Sequence, residues 1–84
     1  VMALELAPHN ITVNAIAPGF LQTAMSAAFF KPGSRTAQAV LNRIPLGRFG
    51  EISEVADTAV FLAGDDASYI TGQTLHPNGG LVIL

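Results

Sequence analysis

The sequence predicts an α/β architecture built on a parallel strand–helix–strand crossover. Three observations carry that reading. Residues 11–17 form an apolar run that breaks at Pro18-Gly19, a second short strand spans 73–76 and stops at Pro77, and a helix of amphipathic period lies between them. The first run is apolar on both faces (Ile11, Val13, Ala15, Ile16, Ala17), as parallel strands covered by helices tend to be. Strand, helical insert, helix and strand in that order make a crossover, and such crossovers are right-handed.

Taken in order, Met2-Ala3-Leu4-Glu5-Leu6-Ala7 is rich in strong helix formers and is ended by Pro8-His9-Asn10. Asn10 suits the left-handed conformation that closes helices. After the strand, residues 20–30 are apolar and irregular, with Thr23 the N-cap of a short helix. Lys31-Pro32-Gly33 breaks that helix, and Ser34 caps a second one over 35–42. Residues 44–50, Ile-Pro-Leu-Gly-Arg-Phe-Gly, form a loop. The whole insert is too long for an ordinary connection, and long loops of this kind are often lids or binding loops. The next helix is the clearest element. Ile52, Val55, Ala56, Ala59, Val60 and Ala63 recur at helical spacing, with Phe61 and Leu62 widening the stripe. Glu51, Glu54 and Asp57 complement the dipole at its start, and Gly64 suits its C′ position. Residues 65–69 read as one helical turn, Thr71-Gly72 leads into the second strand, and Asn78-Gly79-Gly80 is a turn before the apolar tail 81–84.

Composition narrows the functional classes. Half of the 84 residues are apolar and only 12% are charged, against ~25% in a typical globular domain. A chain this short buries only about 60–65% of its unfolded surface. Its faces are therefore expected to be covered by protein outside it, and the helix that starts without a cap at Val1 points to a C-terminal fragment of a larger α/β chain. A net charge of −2 with four Lys and Arg offers no basic patch for nucleic acid. No apolar run approaches the ~18–20 residues that span a bilayer. With no cysteine there is no disulfide, thiol nucleophile or thiolate metal site, and His9 and His76 have no ligand-spaced partner, so no metal is expected. A cytoplasmic location fits these facts.

Several motifs recur together in order: Leu4-Glu5-Leu6-Ala7-Pro8 with Ile11-Thr12-Val13-Asn14; Pro18-Gly19-Phe20-Leu21-Gln22-Thr23; Ile44-Pro45-Leu46-Gly47-Arg48-Phe49-Gly50-Glu51; Glu54-Val55-Ala56; and Tyr69-Ile70-Thr71-Gly72-Gln73 leading to Asn78-Gly79-Gly80. Across essentially its whole length the chain resembles the C-terminal segment of a short-chain dehydrogenase/reductase, nearest to 3-oxoacyl-carrier-protein reductase-like members. The resemblance implies a Rossmann-type doubly wound parallel sheet of seven strands, of which this chain supplies the last two with the helices between them. It also implies an NAD(P)-dependent transfer of hydride between a nicotinamide cofactor, NAD or NADP, and a carbonyl or alcohol substrate.

By the same resemblance the catalytic Ser, Tyr and Lys lie upstream, so this segment holds no catalytic residue. Its single Tyr (Tyr69) and single Lys (Lys31) have the wrong order and spacing. Cofactor contacts fall on Pro18, Gly19, Phe20, Leu21 and Thr23, with Leu21 offering its backbone N–H and C=O to the carboxamide and Thr23 adding a hydroxyl. Gly19 is read as the place where a ligand approaches the backbone closely. Residues 20–50 become the lid over substrate and cofactor, with Met25, Phe29 and Phe30 as its apolar, substrate-binding lining. The tail 81–84 becomes part of a homo-oligomer interface, dimeric or tetrameric. Asn78 stands where the family usually has Asp, Pro77 where it often has Val, and Ile52 where a helix-starting Pro is common. Asn14 is read as structural, its amide bonding nearby backbone, and Arg43 and Arg48 as solvated or ion-paired. The alternatives are a non-catalytic structural or interaction subunit and an inactive truncated product.

Overall fold

Two short strands, β1 (Ala15–Ile16) and β2 (Thr74–Leu75), pair in parallel, with Ala15 opposite Thr74 and Ile16 opposite Leu75. They belong to a computed structural model in which residues 1–81 are described; residues 82–84 of the expected interface tail lie outside them. Ala15 and Ala17 donate their N–H groups to the carbonyls of Gln73 and Leu75, both at 2.9 Å. Gly19 continues the alternation by donating to Pro77 at 3.2 Å.

The regular strands are shorter than the expected 11–17 and 73–76, and the reason is local. Opposite residues 11–14 the chain turns at Gly72, which has φ +72°, so no extended partner runs there. Side chains take over the joining. Val13 donates its N–H to Thr71 Oγ1 at 3.0 Å and accepts from Gly72 at 2.8 Å. Asn14 donates from Nδ2 to the Ile70 carbonyl at 3.0 Å, and its Oδ1 accepts the Gln73 N–H at 3.1 Å. The structural role expected of Asn14 is thus realised by two bonds across more than fifty residues of sequence.

Among the described residues four α-helices accompany this pair, α1 (Met2–Leu6), α2 (Ala24–Phe29), α3 (Arg35–Asn42) and α4 (Ile52–Ala63), and of these α4 packs against β1. A 3-10 turn, Ala7–His9, follows α1, and Asn10 closes it in the left-handed conformation (φ 60°, ψ 38°) with its N–H on the Ala7 carbonyl. Thr23 and Ser34 cap α2 and α3 as expected, accepting from Ser26 at 3.0 Å and from Ala37 at 3.1 Å. Each such cap contributes about 1 kcal/mol. Gly64 departs from expectation. It is extended (φ −96°, ψ 173°) rather than left-handed, because it also caps the 3-10 turn Asp65–Ala67 that follows α4 directly.

Little of this chain is buried against itself. Among the described residues only Ala37, Ile44 and Ala67 form a fully buried apolar core. None of the α4 stripe is buried, and Val60 is 71% exposed. The radius of gyration is 15.8 Å, against about 12 Å for a compact chain of this length. Apolar faces of this extent mark surfaces that other protein covers.

One substitution tests how the halves are held in register. Asn14→Ala removes both cross-links and leaves the Gln73 N–H and Ile70 C=O unpaired. It is expected to lower the stability of the full-length protein by about 1–3 kcal/mol, read as a lower urea midpoint at unchanged slope. An unchanged midpoint would show that the pairing does not depend on it.

Candidate functional site

Past β1 the backbone runs through Pro18, which cannot donate to a ladder, into Gly19. A Cβ on Gly19 would sit 2.8 Å from Asn78 Cβ and 3.0 Å from Asn78 Cα. Real Cβ atoms do not approach that closely. The glycine is therefore required by the turn after β2, where Asn78 presses against it. The same turn grips the end of the insert. Leu46 donates its N–H to the Gly79 carbonyl at 3.1 Å, and a Cβ on Gly79 (φ +64°) would strike Ile44 Cγ2 at 2.8 Å.

Leu21 forms an isolated parallel bridge with Gly50. Gly50 donates its N–H to the Phe20 carbonyl at 2.9 Å, and Gln22 donates to the Gly50 carbonyl at 2.7 Å. In a parallel bridge the central residue's own N–H and C=O point away from the partner. Among the described residues no hydrogen bond uses either group of Leu21. A donor and an acceptor thus stand on the free edge of one extended residue. Two residues on, Thr23 forms a reciprocal cap with Ser26: its Oγ1 accepts the Ser26 N–H, and its N–H donates to Ser26 Oγ at 2.8 Å. That arrangement uses the Thr23 oxygen as an acceptor and leaves its hydroxyl proton available to a ligand.

The structure brings the eight expected site residues around two adjoining hollows. One, of about 280 Å3, is lined by Leu21, Thr23, Met25, Phe29 and Phe30 together with Gly19 and Phe20. The other, of about 300 Å3, lies against Pro18, Gly19, Phe20 and Leu81. Met25 and Phe29 are each 73% exposed and form the rim. Phe30 is tied inward. Its ring meets Phe20 edge-on at 5.8 Å between centroids and lies 6.2 Å from Phe49, with Phe20 and Phe49 6.4 Å apart. Phe49 and Gly50 are the site residues that sequence reasoning left in a loop. A Phe-Gly pair closing a long insert is their only signal, and it does not say which strand the glycine will meet.

Matching chains place this geometry. A short-chain dehydrogenase family model, described as enoyl-(acyl carrier protein) reductase, matches residues 1–82. The chain belongs to the short-chain dehydrogenase/reductase family. It is 53% identical over 81 residues to 3-oxoacyl-(acyl-carrier-protein) reductase FabG of Thermotoga maritima, and 49% identical over 80 residues to that of Aquifex aeolicus. Those matches cover 96% and 95% of this chain but 32% and 31% of the relatives, so the chain spans about a third of their length. A crystal structure from Agrobacterium tumefaciens described as a 2-deoxy-D-gluconate 3-dehydrogenase with bound NADP superposes with a TM-score of 0.87 at 40% identity, over 95% of this chain and 32% of that one. These short-chain dehydrogenase relatives are named as oxidoreductases acting on different substrates.

Among the described residues one ion pair joins the end of the insert to α4. Arg48 grips Glu54 with two parallel bonds, Nη1 to Oε1 at 2.8 Å and Nη2 to Oε2 at 2.9 Å. Glu54 also accepts the Glu51 N–H at 2.9 Å, which ties the loop to the start of α4. The ion-paired role expected of Arg48 is realised, and Glu54 does more than complement the dipole. The hydrogen bonds from Arg48 and from the Glu51 backbone lower the Glu54 pKa to about 2, and the pair raises that of Arg48. Among the described residues no cluster of His, Cys, Asp or Glu could hold a metal, and no helix is long and apolar enough to cross a membrane.

A carboxylate whose pKa is depressed in the fold contributes stability that is present above the unfolded value and lost as pH falls through the folded one. The Arg48–Glu54 contribution should therefore persist at neutral pH and fade between about 4.5 and about 2. Side-chain NMR of Glu54 should show a midpoint near the lower value, and Arg48→Ala should return it toward the ordinary carboxylate range. A Glu54 midpoint indifferent to that substitution would remove the pairing.

Proposed function

We propose that this chain is the nicotinamide-side portion of an NAD(P)-dependent oxidoreductase that interconverts a carbonyl and an alcohol. The observation that carries the reading is the free edge of Leu21. A carboxamide lies in one plane and presents one N–H donor pair and one acceptor oxygen. The backbone N–H and C=O of a single extended residue meet both, and Thr23 stands two residues on with a hydroxyl to spare. This donor set fits nicotinamide, and NADP in the Agrobacterium neighbour supports the choice.

The cofactor, when bound, supplies the hydride; the residues of this chain orient it. Leu21 would hold the carboxamide and so fix which face of the ring is presented, while Pro18, Gly19 and Phe20 would shape the wall beside it. Holding a reactant in its reacting geometry is a large part of catalysis even where no bond is made by the holder. Residues 20–50 would close over the substrate, with Met25 and Phe29 excluding water from the rim and Phe30 anchoring the lid to the Phe20–Phe49 cluster. The proton donor lies in a part of the protein outside this chain. Tyr69, the chain's single tyrosine, is fully exposed. The bare apolar face of α4 supports a homo-oligomeric assembly, and the parallel pair supports a place at one end of a seven-stranded Rossmann-type sheet.

The test uses the full-length protein and a dinucleotide whose amide is altered. The 3-acetylpyridine analogue keeps the acceptor oxygen and replaces the amide NH2 with a methyl. Losing one hydrogen bond of about 1 kcal/mol should weaken binding roughly fivefold relative to the natural dinucleotide, measured by fluorescence titration. Equal affinities would remove Leu21 as the amide holder. The 84-residue chain alone should add no turnover to a cofactor and carbonyl mixture.

A further inference from the structure

The bonds that Gly50 makes and the groups that Leu21 leaves free belong to the same two peptide planes. Each peptide unit is rigid, with its C=O and N–H at opposite ends. The carbonyl of Phe20 and the N–H of Leu21 share one plane; the carbonyl of Leu21 and the N–H of Gln22 share the next. Gly50 donates to that Phe20 carbonyl at 2.9 Å and accepts from that Gln22 N–H at 2.7 Å. It therefore grips the back of both planes, whose fronts stand on the free edge of Leu21.

From this geometry we infer that Gly50 is a positioning residue for the cofactor amide, setting the direction of the Leu21 N–H and C=O from the opposite edge of the chain. The inference rests on the reading of Leu21 given above. It adds a specific consequence, because Gly50 closes the 20–50 insert and directly precedes Glu51 at the start of α4. An amide held at the front polarises the peptide planes and strengthens the bonds at their backs. Coupling between two sites is reciprocal. Cofactor binding thus tightens the root of the insert, and the root in turn selects for a ligand with a true carboxamide. No polar side chain is needed, which is why the residue in this position can be glycine. Space is limited on that side, with Leu21 Cδ2 only 3.1 Å from a Cβ built on Gly50.

The experiment compares Gly50→Pro and Gly50→Ala in the full-length protein. Proline removes the N–H that Phe20 accepts; alanine keeps both backbone groups, and the atom it meets is the end of a flexible side chain. The readout is the affinity ratio between the natural dinucleotide and its 3-acetylpyridine analogue, which a general loss of stability leaves alone. Gly50→Pro should reduce that ratio at least threefold toward unity, and Gly50→Ala should stay within twofold of the wild type. A second measurement needs no variant: in the wild type, saturation with the natural dinucleotide should slow hydrogen exchange at the Gly50 and Gln22 amides at least tenfold, and the analogue should slow it less. If the wild type discriminates between the two ligands but Gly50→Pro keeps the ratio, or those amides exchange alike with either ligand, Gly50 is not the positioning residue. If the wild type does not discriminate at all, the Leu21 clasp itself fails and the inference falls with it.

Discussion

The parallel register of β1 against β2 is the constraint on which the rest of the molecule depends. Because the strands run the same way, both end at one edge of the pair, and the loops that follow them meet there. The Pro18 loop and the Pro77 turn lie so close that Gly19 admits no side chain against Asn78. An antiparallel pair would have sent these segments to opposite ends. Ligand sites in open α/β sheets form beyond the carboxyl ends of their strands for this reason. Here the arrangement is held by backbone bonds at Ala15, Ala17 and Gly19, and by the two amide bonds of Asn14 below them.

A second closure is built on the first. The insert leaves the β1 edge at Phe20 and returns at Gly50, where the bridge to Leu21 shuts it. Phe20, Phe30 and Phe49 come from the start, the middle and the end of that excursion, and their rings form one cluster. Aromatic pairs at such separations contribute about 0.5–1.5 kcal/mol each beyond the area they bury. The Pro77–Gly80 turn holds the return path from the other side through Ile44 and Leu46. The loop that would face a cofactor and the segment that would face a substrate are thus braced by the same few residues.

Local chemistry and the order of elements were legible in the sequence; most contacts between distant residues were not. Thr23, Ser34 and Asn10 signal their caps through side-chain type alone, since a cap is satisfied within three residues. The order of elements and the parallel pairing followed from apolar runs and their spacing, and the motif from Pro18 to Thr23 located the hollow. What stayed hidden depends on contacts between distant residues. The strand at 11–17 reads as regular because nothing in it reports that Gly72, nearly sixty residues on, turns away from its first half. Gly64 reads as a left-handed stop because the turn that reuses it as a cap belongs to the next element. Gly19 reads as a ligand approach, and nothing in the sequence announces that Asn78 also presses on it. Gly50 carries no side chain to announce a role, so only its partner reveals one.

The three departures from the usual family pattern leave the geometry of this edge intact, for reasons particular to each. Asn78 accepts the Gly80 N–H through Oδ1 at 2.9 Å, a bond that Asp would accept equally, so the turn does not require the charge. Pro77 has no N–H, but what Gly19 needs from that position is a carbonyl, and proline keeps it. Ile52 gives up the preset φ of a helix-starting proline, yet α4 still begins there, because the Glu54 carboxylate, itself held by Arg48, binds the N–H of Glu51 one position earlier. In each case this chain's residue meets a backbone-level requirement. What the edge demands is a set of donors and acceptors in fixed directions, and side chains matter there chiefly through the directions they impose on the main chain.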